Sequence, residues 1–378
     1  MMKVAFMKDI PRDILELVSQ VQKLPHGPAE IELLDEAIRL ADNYGRADLG
    51  FSLRKLMLSA AAFGGAPDKL LVAFSWCLSQ CDEDPEQFPE VDILWEYKWV
   101  IGNLRNFPQI SRDKVEELYV DMDHRLKKNG FSDRPVLKLR WRSAMHSGEM
   151  EKAAMIFNRW KIAPIDRIND PAVGDRNDVV EYECIRGNYE KALRIAAPIL
   201  SGELVNEGAV PHTTLGMVVL PLFHLNQVKR AVNYHYWGIQ LMNKNPQYLY
   251  QFGQHLEFLA LTGNLERGLR ILEAVFLHFL QSKAYFRKFQ FALGALLLFR
   301  ILREDNRQEI ALKLPKSFPL HEKEGRYSTE SIITWLEAEL EEIANLFANH
   351  FQNRHAHQTI ARQADLQKLR RDYPIHRK

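Results

Sequence analysis

Gly187-Asn188-Tyr189-Glu190-Lys191-Ala192-Leu193-Arg194-Ile195 and Gly263-Asn264-Leu265-Glu266-Arg267-Gly268-Leu269-Arg270-Ile271 are two copies of one pattern, identical or closely similar at seven of nine positions. They begin 76 residues apart, twice 38, so a further copy is expected halfway, near residue 225. Asn226-Gln227-Val228-Lys229-Arg230-Ala231-Val232 stands there. One step back from Gly187, Gly148-Glu149-Met150-Glu151-Lys152-Ala153 supplies a fourth copy. Turns at 148, 187, 226 and 263 thus define a period of 37 to 39 residues.

The pattern has a physical reading. The leading Gly or Asn reaches the left-handed conformation at low cost and ends a helix, and the next helix begins at once. Five positions on, a small residue (Ala153, Ala192, Ala231, Gly268) lets the paired helices approach closely. Four further on, an apolar residue such as Phe157 or Leu272 fills the core. Pro164 and Pro246 each close a second helix.

Over residues 136–282 this pattern resembles the tetratricopeptide repeat, with a turn Gly, a small residue at +5, an aromatic at +9 and a terminal Pro. The units here are longer than the family's usual length of about 34 residues. His235 stands where the family has an aromatic. The resemblance implies an all-α fold, an α-solenoid of stacked antiparallel helix hairpins. It also implies a concave groove, lined by the first helix of each hairpin, that binds a peptide or a partner's helix.

Outside that core the periodicity is weaker. Residues 1–135 read as divergent helical repeats. Ala37 to Tyr44 and Leu53 to Ala61 flank a turn at Gly45, and Lys69 to Gln80 is another helix. Ile93 to Leu104 is rich in aromatics, and Ser111 caps a helix ending at Gly130. Residues 283–350 read as packing and capping helices. The first is the nearly uniform apolar stretch Tyr285 to Leu302, the last the seam Ile332, Leu336, Leu340, Ile343 and Phe347 after the cap Ser328. The connection between them, 303–327, contains Pro315 and Pro319, and no strong strand signal occurs anywhere. Residues 351–378 read as a basic, mobile tail.

Composition bounds the function. Of 378 residues, 46% are hydrophobic and 26% charged, the make-up of a folded globular chain. With 50 basic and 49 acidic residues the net charge is +1, so no global field favours nucleic acid or an anionic membrane. The charge is uneven, since residues 349–378 hold seven Lys or Arg against two Asp or Glu. Three cysteines cannot all pair within one chain, so a reducing compartment is expected, by default the cytoplasm. The opening Met1-Met2-Lys3-Val4-Ala5-Phe6-Met7-Lys8-Asp9 lacks the sustained apolar core of a secretory leader. Phe289 to Phe299, bracketed by Lys288 and Arg300, falls short of the roughly 18 residues of a membrane span.

Candidate chemistry is sparse. There is no Gly-rich phosphate loop, nucleophile elbow or paired-His zinc helix. Cys77 and Cys81 can share a helix face, but a metal site needs about four ligands, and two core cysteines are the better reading. His350, His355 and His357 read as solvated. Tyr234, His235, Tyr236 and Trp237 point in four directions at helical spacing and read as packing rather than a stacking platform. The basic tail (Arg362, Lys368, Arg370, Arg371, Arg377, Lys378) offers phosphate or acidic-partner contacts, against plain solvation.

Registering each repeat on its turn places Lys138, Arg142, Asn177, Glu181, Leu220, Phe223, Tyr250 and Glu257 on the inward face. The expectation is a noncatalytic protein- or peptide-binding scaffold with no cofactor, working through that groove. Two alternatives stay open: a peptide-responsive regulator with an N-terminal effector module, and an enzyme whose site is assembled across distant repeats.

Overall fold

A computed structural model describes residues 10–204 and 208–375. The opening nonapeptide, Arg377 and Lys378 lie outside the described residues. The N-terminal part comprises α1 (Arg12–Val21), α2 (Pro28–Asn43), α3 (Ala47–Gly64), α4 (Pro67–Glu83), α5 (Leu94–Asn103) and α6 (Arg112–Lys128). Four hairpins follow: α7 (Arg134–His146) with α8 (Met150–Ile162), α9 (Ala172–Ile185) with α10 (Tyr189–Leu200), α11 (His212–His224) with α12 (Val228–Met242), and α13 (Leu249–Leu261) with α14 (Leu265–Gln281). Then come α15 (Tyr285–Glu304), a two-stranded antiparallel hairpin of β1 (Glu309–Ala311) and β2 (Arg326–Ser328), α16 (Thr329–Phe351) and α17 (His355–Gln367). The fold is all-α apart from that hairpin among the described residues.

The repeated turns share one geometry. Gly148, Gly187, Asn226 and Gly263 have φ of 78°, 73°, 58° and 71°. After each, the next N–H donates to a carbonyl five residues back: Glu149 to Ala144 and Gln227 to Leu222 at 2.8 Å, Asn188 to Glu183 at 2.9 Å, Asn264 to Leu259 at 2.8 Å. This bond satisfies a carbonyl the ending helix leaves free. The small residues lie where helices cross. Ala153, Ala192 and Ala231 are buried, and a β-carbon on Gly268 would sit 2.9 Å from the Leu298 side chain.

The first helices α7, α9, α11, α13 and α15 each touch the next and form one row, named the inner row, and α8, α10, α12 and α14 each pair with the row helix that precedes it. The closest crossing is α13 on α15, where a β-carbon on Gly253 or Gly294 would collide with the opposing backbone. α15 is apolar almost all round because α13, α14, α16, α17 and the 3-10 turn Leu104–Asn106 cover it. Its charged brackets Lys288 and Arg300 pair with Glu339 and Glu337 of α16 at 2.9 and 2.8 Å.

One apolar core runs from Val180 to Ala356 and another gathers Val21 to Leu139 with Ile168. Helices of the N-terminal part meet the later helices. Lys283 pairs with Asp68 at 2.9 Å, and Arg112 Nη1 donates to the Phe351 carbonyl at 3.0 Å.

Three expectations need correction. The segment after 351, expected as a mobile tail, folds as α17 and a docked extension. Asn353 Nδ2 donates to the Ser147 carbonyl at 3.0 Å, and the N–H groups of Arg371 and Tyr373 cap α13 through the carbonyls of Leu261 and Thr262, at 2.8 and 2.9 Å. Arg370 pairs with Asp305 at 2.6 Å. Few apolar residues mark this segment because polar bonds to the free carbonyls at helix ends hold it. Residues 303–327 are not a plain connection, since Ile310, Leu312, Phe318 and Tyr327 are buried there. Strands of three residues are too short to show alternation. Finally, α2 begins at Pro28, nine residues before the Ala37 at which the sequence reading starts it.

Candidate functional site

The inner row brings the registered residues together, but not as an open groove. Lys138, Asn177, Glu181 and Phe223 are buried, and Arg142, Leu220, Tyr250 and Glu257 are half-buried. Lys138 Nζ lies 2.7–2.8 Å from carboxylate oxygens of Asp170, Asp175 and Asp178. Arg142 reaches Asp178 at 3.4 Å and Glu181 at 3.1 Å, and His146 Nε2 stands 3.5 Å from Glu181. Lys98, from α5, adds a contact to Asp170 at 2.7 Å. Asn177 Oδ1 accepts from the hydroxyls of Thr213 and Thr214 at 3.1 and 2.7 Å. Leu220 and Phe223 join the apolar core.

The period is the basis for grouping these side chains. It carries no information about what packs against them, and here α5, α15 and α17 do. Tyr250 meets the Phe286 ring edge-on at 5.7 Å, and Glu257 accepts from Gln363 of α17 at 2.9 Å.

Burial shapes the electrostatics. It works against charge on Lys138, but three carboxylates outweigh it and raise the ammonium's pKa. It also works against Asp170 and Glu181, yet their cationic neighbours hold both well below the usual carboxylate range. It pushes His146 down to about 4 despite the nearby Glu181. Burial lifts Glu257 to about 7, against the hydrogen bond from Gln363. The acids and bases of this face are engaged with one another.

An accessible cavity lies elsewhere. Between α12 and α14 a cleft of about 780 Å³ opens over α13. Ile239, Phe252, Ile271 and Val275 give it apolar surface, Lys244, Arg267 and Arg270 line it together with the amides of Asn233, Gln240 and Asn243, and no carboxylate is in the lining. Arg267 stacks over the Tyr236 ring at 4.6 Å. Asn243 and Lys244 end α12 with φ of 41° and 58°, a left-handed conformation that costs a non-Gly residue roughly 1–2 kcal/mol. It turns the chain out of α12 beside the cleft.

No family model and no curated protein matches the chain. The likeness to tetratricopeptide repeats therefore rests on its own turns and small residues.

Sequence reasoning missed this cleft because it looked at first helices only. A signal was present. Although the chain holds 49 acidic residues, none occurs from Gly208 to Leu256, which spans α11, α12 and the start of α13. Of the aromatic run, His235 is buried and Tyr236 is an exposed cleft residue, so packing accounts for only part of it. Cys77 and Cys81 are core residues, their thiols pushed up by burial to about 12 and 11. Among the described residues no group of His, Cys, Asp or Glu is arranged to hold a metal ion, and no helix is long and apolar enough to cross a membrane.

Proposed function

We propose that the chain is a noncatalytic protein-binding module that takes an acidic amphipathic helix of a partner into the cleft between α12 and α14. The observation that carries this reading is the lining of that cleft, in which apolar surface is bordered by three cations and neutral amides with no carboxylate. From Asn233 to Met242, the end of α12, the wall runs roughly 14 Å, about two and a half helical turns. A partner helix with aliphatic residues at i, i+3 or i+4, and i+7 would rest on Phe252, Ile271 and Val275. Its flanking Asp and Glu would meet Lys244, Arg267 and Arg270. The walls belong to helices packed on α11 and α13, so little ordering entropy opposes binding. The engaged acids and bases of the inner face support a binding role over a catalytic one. The free cysteines support a reducing compartment such as the cytoplasm.

The test is fluorescence anisotropy with a labelled amphipathic peptide of Leu and Glu. Binding is expected to weaken steeply with salt, to drop at least about tenfold for a scrambled peptide, and to vanish when Lys replaces Glu. Equal binding of all three peptides, or binding of none, rejects the proposal.

A further inference from the structure

Where α5 gives way to the turn Leu104–Asn106 and meets α7, three buried nitrogens belong to the walls of one small cavity. Arg105 comes from the turn, and Arg142 and His146 lie one helical turn apart on α7. Arg105 Nε and Arg142 Nε are shielded from solvent with no hydrogen-bond partner among the described residues, while His146 Nε2, equally shielded, stands 3.5 Å from a Glu181 carboxylate oxygen. The cavity they line, with Tyr119, Ser143 and His350, measures about 30 Å³.

Positive charge is in surplus there. Arg105 has no carboxylate partner among the described residues, and its guanidinium lies over the Phe286 ring at 4.7 Å. Arg287, next along α15, likewise has no carboxylate partner, and its Nη2 donates at 3.5 Å to Asn103 Oδ1. Arg142 shares Asp178 with Lys138 and Glu181 with His146. Burial and the neighbouring Arg142 push the Arg105 guanidinium down to about 10. An uncompensated buried charge is strongly unfavourable.

The geometry points to a binding site for a small monatomic anion, chloride in the cell, held by Arg105, Arg142 and His146. The volume selects for size. A water needs about 10–15 Å³ of such space, so a site of about 30 Å³ suits one halide and excludes a tetrahedral oxyanion. Charge selects the anion over water, because water can satisfy the N–H donors but leaves the Arg105 guanidinium without a carboxylate partner. A neighbouring cavity of about 70 Å³ shares Val115, Tyr119, Ser143, His350 and Phe351 with this one and provides a route inward. The cations on that route are already paired, Arg112 with Glu149 at 3.1 Å and Arg140 with Glu116 at 2.5 Å, which leaves the inner cavity as the seat.

The site lies where α5 and α7 meet the later helices, since His350 and Phe351 belong to α16 and Phe286 to α15. Anion binding would therefore draw the α5–α7 face onto the C-terminal helices and make closure depend on halide concentration.

Two measurements test this. Wild-type crystals soaked in bromide should give an anomalous peak between Arg105, Arg142 and His146. Replacing gluconate by chloride at constant ionic strength should raise the melting temperature by about 2 °C, and Arg105→Gln should abolish the rise. Absence of the bromide peak from this cavity overturns the proposal, whether or not the variant folds. So does a chloride response identical in wild type and Arg105→Gln, or a sulfate response equal to that of chloride.

Discussion

His235 Nδ1 and His255 Nδ1 lie 3.1 Å apart beneath the cleft, with both rings buried. One ring donates and the other accepts, so the bond joins two neutral imidazoles, and a proton on each would set two N–H groups face to face. Burial pushes His255 down to about 3, and burial together with its histidine neighbour drives His235 well below its ordinary value. A histidine held neutral in the fold but free to charge when unfolded removes stability as pH falls below about 6.5, by roughly 1.4 kcal/mol per pH unit. Urea unfolding should show a steep loss of stability between pH 6.5 and 4, with His146 adding to it through its depressed value of about 4. Equal stability at pH 7 and pH 5 would contradict the neutral buried pair.

Lys138 holds three carboxylates at 2.7–2.8 Å. Removing one partner of a buried ion pair costs about 3–5 kcal/mol because its counter-charges are stranded. Lys138→Met is expected to lower stability by that order in a urea titration. A change within about 0.5 kcal/mol, the level of exposed sites, would mean that the inner face is an open groove after all.

The C-terminal segment makes a related point. Truncation after Arg354 removes α17, the bonds to Leu261 and Thr262 and the Arg370–Asp305 pair. At about 1 kcal/mol per net hydrogen bond, the loss should reach at least about 2 kcal/mol and show as a clear drop in melting temperature. An unchanged melt would restore the mobile-tail expectation.

Lys244 separates stability from binding. Its φ of 58° suits glycine, so Lys244→Gly should leave stability unchanged or raise it by up to about 1 kcal/mol. The same change removes a cation from the cleft and should weaken an acidic peptide severalfold. Loss of stability with unaltered peptide affinity would refute both assignments.

What was legible in the sequence is what local geometry imposes. The turns at 148, 187, 226 and 263 need a left-handed residue, and the crossings at Ala153, Ala192 and Ala231 need a small one, so both leave marks in the residues themselves. The period also groups Lys138 and Glu181, and both are buried. Closure does not follow from the period. Whether Arg142 faces solvent or Asp178 depends on the packing of α5, α15 and α17, which joins residues up to about two hundred positions apart and has no periodic signature. The cleft lies between. Its shape comes from the spacing of α12 and α14, but its charge is written in the acid-free run from Gly208 to Leu256.

The central claim is that the cleft between α12 and α14 is the working surface. Hydrogen–deuterium exchange, with and without a saturating acidic amphipathic peptide, addresses it directly by reporting where amides become protected. The predicted result is slowed exchange along α12 and α14 and in the Asn243–Lys244 turn, with α7 and α9 unchanged. Protection on α7 and α9 with none on α12 and α14 would contradict it and return the function to the inner face.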